Sequence, residues 1–300
     1  MRRISRRSFL KTASASVACA AVWRGTPRLM ANPLGLPVGV QLYSVRDILP
    51  KDYEGTLRQL ASLGYREVEA AGFFGHSASE VKQAMDHAGL RCVSAHYPLK
   101  DLLPKVDEVI QFGKDLGLKY IVCAAPMLKD PSRVKDAGSR EARESMTLDD
   151  WRWNADQFNH IGERVNAAGM RFAYHNHTPE FRAENGVVFY DELMRSTDPA
   201  KVTMEMDCGW VMVAGKNPTD YLTRYPKRIS MLHVKDFKMV GGVATPPSTE
   251  LGRGGIDYHP IFEAAKKAHI EHAFVEQEEF DIPAMEALKI DADYMHALTV

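Results

Sequence analysis

Short apolar runs alternate with stretches of helical period along most of this 300-residue chain. VGVQLYS (38–44) reads as a strand. DYEGTLRQLASLG (52–64) spaces its apolar residues as a helix does and stops at a glycine. The alternation continues with strands at 66–72, 90–96, 118–125, 171–176, 202–207, 229–234 and 273–277. Helices fall at 77–89, 101–116, 147–169, 189–195, 218–225, 258–268 and 283–298. Eight strands with eight helices predict a (β/α)8 TIM barrel, one domain over residues 38–300. An open doubly wound sheet is the alternative, but no G-x-G-x-x-G follows the first strand. The strands are short apolar runs, as expected when both faces of a sheet are covered. One stretch breaks the rhythm. Residues 126–147 are polar and aperiodic, a long loop after the fourth strand, and loops of that length usually serve a function.

The N-terminus stands apart. Ser5-Arg6-Arg7-Ser8-Phe9-Leu10-Lys11 precedes a short Ala-rich stretch, and together they resemble a twin-arginine export signal over residues 1–31. The apolar stretch is well short of the ~20 residues that a membrane-spanning helix needs. The expectation is an exported, periplasmic protein with no membrane span. Removing the signal changes the charge. Seven of the 38 Lys and Arg lie in 1–31 with no Asp or Glu, leaving 31 basic against 39 acidic side chains, about −8. A domain that acidic holds nucleic acid phosphates poorly, so no nucleic acid partner is expected. Three cysteines remain, Cys92, Cys123 and Cys208, each in or just after an apolar run. They read as buried free thiols, because an odd count argues against a full disulfide framework.

Active sites of such barrels form at the C-terminal ends of the strands. Ionisable and polar side chains concentrate there. The first strand brings Gln41 and Tyr43, the second Glu69, and the third His96. The fifth brings His175, Asn176 and His177, with Glu180 just beyond. The sixth ends in Asp207, the seventh carries His233, Lys235 and Asp236, and the eighth carries Glu276 and Glu278. The steps from Glu180 to Asp207 and on to His233 are 27 and 26 residues, the length of one strand, one helix and their loops. Unpaired carboxylates are costly to bury, and a divalent cation supplies the missing charge. Three carboxylates and one imidazole suit Mn2+, Mg2+, Co2+ or Zn2+, with oxygen-rich ligation leaning toward Mn2+. Asp207-Cys208-Gly209 taken alone would be only a helix cap.

These motifs resemble the xylose isomerase-like TIM barrels, the sugar phosphate isomerase/epimerase family, over roughly residues 38–298. The resemblance is carried by Tyr174-His175-Asn176-His177 with Glu180-Phe181, Met206-Asp207-Cys208-Gly209, His233-Val234-Lys235-Asp236, Leu251-Gly252-Arg253-Gly254 and Val275-Glu276-Gln277-Glu278. It implies one divalent metal ion held by residues of the last four strands. Asp207, His233 and Glu276 match that pattern. For the fifth-strand ligand Glu180, His175 and His177 compete, with Glu180 favoured. The His-Asn-His sequence looks closer to inosose dehydratases and to lyases acting on 3-keto-glycosides than to the epimerases.

Isomerisation, epimerisation and β-elimination share one hard step, removal of a proton beside a carbonyl. A metal ion acidifies that C–H, a base takes the proton and an acid returns it. His175, His177 and Glu69 are the base candidates. Gln41, His96, Lys235, Arg253 and Glu278 are candidates to bind substrate. Export, with no evident phosphate loop beyond Gly252–Gly255, points to a non-phosphorylated sugar or keto-sugar. Two rivals stand beside this: lyase chemistry on the same scaffold, and a non-catalytic periplasmic sugar-binding protein, which would need no metal set.

Overall fold

The computed structural model describes residues 31–134 and 139–300. The signal expected over 1–31 lies outside them except for Ala31. Eight parallel strands close a barrel: β1 Gly39–Gln41, β2 Glu67–Ala70, β3 Arg91–Pro98, β4 Tyr120–Ala125, β5 Arg171–His175, β6 Val202–Asp207, β7 Ile229–Val234 and β8 His272–Val275. Each pairs with its neighbours in sequence, and β8 closes on β1 through Gly39 with Phe274 and Val40 with Val275. The helices outside are α1 Tyr53–Ser62, α2 Ala78–Ala88, α3 Leu99–Leu116, α4 Leu148–Ala167, α5 Phe189–Ser196, α6 Pro218–Arg224, α7 Tyr258–Ala268 and α8 Ala284–Ala297.

Local chemistry sets the helix starts. Ser77 and Glu80 form a reciprocal capping box on α2, and Thr147 and Asp150 form one on α4. Asp150 does more than cap. Its Oδ1 accepts the Lys129 N–H at 3.0 Å, and its carboxylate holds Arg133 at 2.9 Å. Asn154, one turn further on, accepts the Met127 N–H and donates to the Met127 carbonyl. The loop after β4 is therefore fastened to α4. Within it lie a 3-10 turn at Pro131–Val134 and a short helix at Ser139–Glu144.

The barrel interior is layered. A small apolar cluster of Val93, Tyr120, Val122, Ala173, Met231 and Phe274 is separate from the main core between strands and helices. Its members come from five strands and fill the middle of the barrel. Toward the strand N-termini the filling is polar, with Glu67 on His272 at 2.6 Å and Tyr120 on Glu271 at 2.7 Å. Toward the C-termini it is polar again, and this layer is the site described below. The β2–β3 pairing slips there: Val68 faces Cys92, but Glu69 faces Ser94. The extra residue lets both Val93 and Ser94 face inward, and it carries His96 to the same side.

Two features were not legible as elements. Strand β8 ends at Val275, so Glu276 stands just past it. After β7 the chain makes an antiparallel hairpin, Asp236–Val240 with Val243–Thr249, where a plain loop was expected. Cys92, Cys123 and Cys208 are buried free thiols. Among the described residues no helix is long and apolar enough to cross a membrane.

Gly162 shows how closely the outer layer sits. A Cβ there would run into the backbone carbonyl of Lys201, just before β6. Gly162→Ala is expected to destabilise the fold by about 1–3 kcal/mol, read as a lower denaturation midpoint. An unchanged midpoint would mean that α4 does not approach β6 this closely.

Candidate metal centre

Strand register brings the polar side chains together. Gln41 pairs with Glu69, His175 with Glu205, and Asp207 with His233, each across neighbouring strands. Residues two apart on one strand share a face, so Glu205 and Asp207 both point into the barrel, one above the other.

The upper set is His175, Asp207, His233 and Glu276. One ligand atom from each lies within 4.8 Å of the others, and all four residues are buried. His233 Nδ1 is 3.0 Å from Glu276 Oε2 and 3.9 Å from Asp207 Oδ2. Asp207 Oδ1 caps the short helix Cys208–Val213 by accepting the Trp210 N–H at 2.8 Å. Its Oδ2 is buried and makes no hydrogen bond among the described residues. The residue is thus a helix cap and a candidate ligand at once. Lys235 Nζ stands among the acids, 3.3 Å from Asp207, 2.7 Å from Glu276 and 2.5 Å from Glu278, with the Trp210 ring at 4.9 Å.

The lower set is Glu69, Glu205 and His96. Glu69 accepts from Gln41 at 2.9 Å and Ser94 at 2.5 Å, and it faces His233 Nε2 at 2.7 Å and His96 Nε2 at 2.8 Å. Glu205 Oε2 faces His96 at 2.7 Å, His175 Nδ1 at 3.0 Å and His233 Nε2 at 3.3 Å.

The charges respond to this crowding. Burial alone would raise the Glu69 carboxyl, but His96 and His233 outweigh it and hold it well below the carboxylate range. Glu205 is likewise pulled down to about 2, against burial and the repulsion of Glu69, by His233 and His96. Burial works against a charged His96, yet Glu69 and Glu205 lift its imidazole to about 9. Burial and the neighbouring His233 keep His175 neutral, which leaves it a lone pair for a ligand. Burial raises Asp207, whereas Lys235 and His233 overcome burial at Glu276 and hold it ionised.

Two carboxylates and two imidazoles, all buried, fit a divalent ion. With one ion, Lys235 and a protonated His96, four positive charges face the four carboxylates Glu69, Glu205, Asp207 and Glu276. The fit differs from the sequence reading at the fifth strand. Glu180 does not join the cluster. Its Oε1 accepts from the Tyr174 hydroxyl at 2.5 Å and the His177 N–H at 3.0 Å, which ties it to the turn after β5. His175, the rival candidate, is the fifth-strand residue that lies in the cluster.

Other expectations change too. Glu69 has both oxygens engaged by four partners, so it has no free oxygen to act as a base. Gln41 is buried and donates from its side-chain amide to Glu69. His96 sits between two acids. Arg253 is outside the cluster, its side chain 56% exposed and 3.7 Å from Glu250. Glu278 remains at the edge, 25% exposed, on Lys235. His177 lies beside His175 and is neutral through burial and the nearby Arg143. Arg143, from the loop after β4, reaches its Nε2 at 3.1 Å. Glu205 and Arg143 were missed. The signal for Glu205 was a glutamate inside the apolar run VTMEMD, two residues before Asp207 and so on its face. Nothing in the sequence pointed from Arg143 to His177.

The sequence profile of the xylose isomerase-like TIM barrel family matches residues 57–298. The chain belongs to that family. Relatives of this xylose isomerase-like barrel include an inosose dehydratase of Lacticaseibacillus casei, 24% identical over 249 residues, 76% of this chain and 83% of that protein. A sugar phosphate isomerase/epimerase from Parabacteroides distasonis is 26% identical and superposes with a TM-score of 0.70, covering 87% of this chain and 93% of the other. The IolI protein with a bound zinc atom shares the fold at 15% identity and a TM-score of 0.62, covering 86% and 97%. Two of these three relatives carry the names of enzymes, a dehydratase and a sugar phosphate isomerase/epimerase.

His96 binds its proton more tightly folded than unfolded. The resulting stabilisation is complete below its ordinary value of 6.5 and is lost as pH rises through about 9. The melting temperature of metal-stripped protein is expected to fall across that interval, and to fall less in His96→Gln. An equal fall in both proteins would place the loss elsewhere.

Proposed function

We propose that the chain is a divalent-metal-dependent isomerase or epimerase that removes a proton beside the carbonyl of a non-phosphorylated sugar or keto-sugar. The observation that carries this is the convergence of His175, Asp207, His233 and Glu276 within one ion's reach, at the end of the barrel where such enzymes work. Those four residues would hold the ion, with Mn2+ favoured by the carboxylates and Co2+ or Zn2+ by the imidazoles. Bound there, the ion would polarise a substrate carbonyl and acidify the neighbouring C–H.

The other residues have separable tasks. Lys235 places a buried ammonium beside the ligand carboxylates and steadies negative charge as it develops on the substrate. His177 is the neutral imidazole left for proton transfer, since Glu69 is saturated and His175 is a ligand. With Arg143 donating to Nε2, its hydrogen sits on Nδ1, which is buried and unpartnered among the described residues. So held, the ring can donate a hydrogen bond from Nδ1 to a substrate oxygen, and it takes the substrate proton at Nε2 once the Arg143 contact opens.

β-Elimination begins with the same proton. The likeness to inosose dehydratases favours it as a second reading. Incubating non-phosphorylated sugars and 3-keto-glycosides with Mn2+ or Co2+ in D2O separates the two. Exchange or inversion with no loss of a group supports the isomerase or epimerase, whereas loss of water or an aglycone supports the lyase. Glu276→Gln is expected to abolish exchange with the fold intact, and persistent exchange would sink the ligand assignment. His177→Gln is expected to slow turnover by about 100-fold or more with ion affinity unchanged.

The export reading rests on the Arg6-Arg7 motif. Residues 1–31 fused to a folded reporter are expected to carry it to the periplasm. A Lys-Lys pair at 6 and 7 should block that, and a reporter retained in the cytoplasm by the native pair would refute export.

A further inference from the structure

The inner half of the cluster has no task in the metal reading. Three imidazoles, from β3, β5 and β7, each turn one nitrogen toward the Glu69–Glu205 pair beneath the upper set. His96, His175, Glu205 and His233 also bring ligand atoms within 4.8 Å of one another. Glu205 Oε1 is buried and makes no hydrogen bond among the described residues. These facts allow two roles for the layer: a second ion site, or a device that orients the ligands of the first.

Lone pairs decide between them. A neutral imidazole has one N–H and one lone pair. His175 and His233 belong to both quartets. A ring that gives its lone pair to the upper ion keeps only an N–H for the inner face, and an N–H cannot ligate. The inner face would then retain Glu205 and His96 alone, while Glu69 is already engaged by four partners. The distances of 3.0 Å from His175 Nδ1 and 2.7 Å from His233 Nε2 to these carboxylates are those of N–H···O bonds.

We propose that Glu205, with Glu69 beside it, is a positioning residue that selects the ligating nitrogens. His175 gives Nε2 and His233 gives Nδ1 to a single divalent ion, and the inner face takes none. The proposal rests on the metal reading above. Opposite nitrogens are chosen because the carboxylate pair meets the two rings from opposite edges. A carboxylate that accepts the far N–H of a metal-bound imidazole fixes its tautomer and raises its basicity. Glu205 does this for His175 directly and shares His233 with Glu69.

The test uses the full chain. Wild-type protein with labelled histidine nitrogens is loaded with Cd2+, and nitrogen–cadmium couplings are read by NMR. Coupling at His175 Nε2 and His233 Nδ1, with one ion per chain, is expected. Coupling at His233 Nε2 or His175 Nδ1, or two ions per chain, would overturn the proposal and leave the metal reading standing. No bound ion at all would overturn both. Glu205→Gln keeps the volume but removes the charge, so its amide oxygen is a weaker acceptor for the two rings. It is expected to weaken Zn2+ binding by about 10–100-fold in chelator competition, with one site and an unchanged circular dichroism spectrum. Unchanged affinity would count against the proposal. The wild-type couplings decide the matter even if that variant fails to fold.

Discussion

Four carboxylates buried inside one end of a barrel are the constraint on which the rest of the structure depends. Glu69, Glu205, Asp207 and Glu276 are all removed from water, and isolated buried carboxylates would neutralise themselves by taking up protons. Here two of them are held well ionised by imidazoles, and the upper pair faces Lys235. The apolar belt of Val93, Val122, Ala173, Met231 and Phe274 beneath them keeps the field strong by excluding water. The same belt separates the site from the polar plug around Glu67 and His272, so the two polar ends of the barrel do different work.

Position in the fold follows from this charge problem. The slip in β2–β3 pairing turns Ser94 and His96 inward, where each meets Glu69. The loop after β4 is fastened by Asp150 and Asn154, and it brings Arg143 to His177. Lys235 is the first residue past β7, and its cation is buried only because Asp207, Glu276 and Glu278 surround it. The family's chemistry and the site's electrostatics then agree. A divalent ion would add positive charge among these carboxylates, at the strand ends where barrel active sites form.

Much of this was legible in the sequence because a barrel converts order along the chain into order around a ring. Strand ends at βα spacing had to converge, which made Asp207, His233 and Glu276 readable without coordinates. The fifth-strand position was not readable. His175 and Glu180 are five residues apart, and only the turn after β5, with Tyr174 and the His177 N–H holding Glu180, shows which one faces the others. Glu69 looked like a base because its partners, Gln41 on β1 and Ser94 and His96 on β3, come from neighbouring strands whose register sequence does not give. Glu205 was hidden by its own strand: a glutamate in an apolar run carries no label saying which side it faces until Asp207 is placed.

The most direct test is a crystal of the full chain soaked with Mn2+ or Zn2+ and examined at that metal's absorption edge. One anomalous peak is expected, bounded by His175, Asp207, His233 and Glu276, with Glu180 still on Tyr174. A peak ligated by Glu180, or no peak inside the barrel at saturating metal, would contradict the site described here.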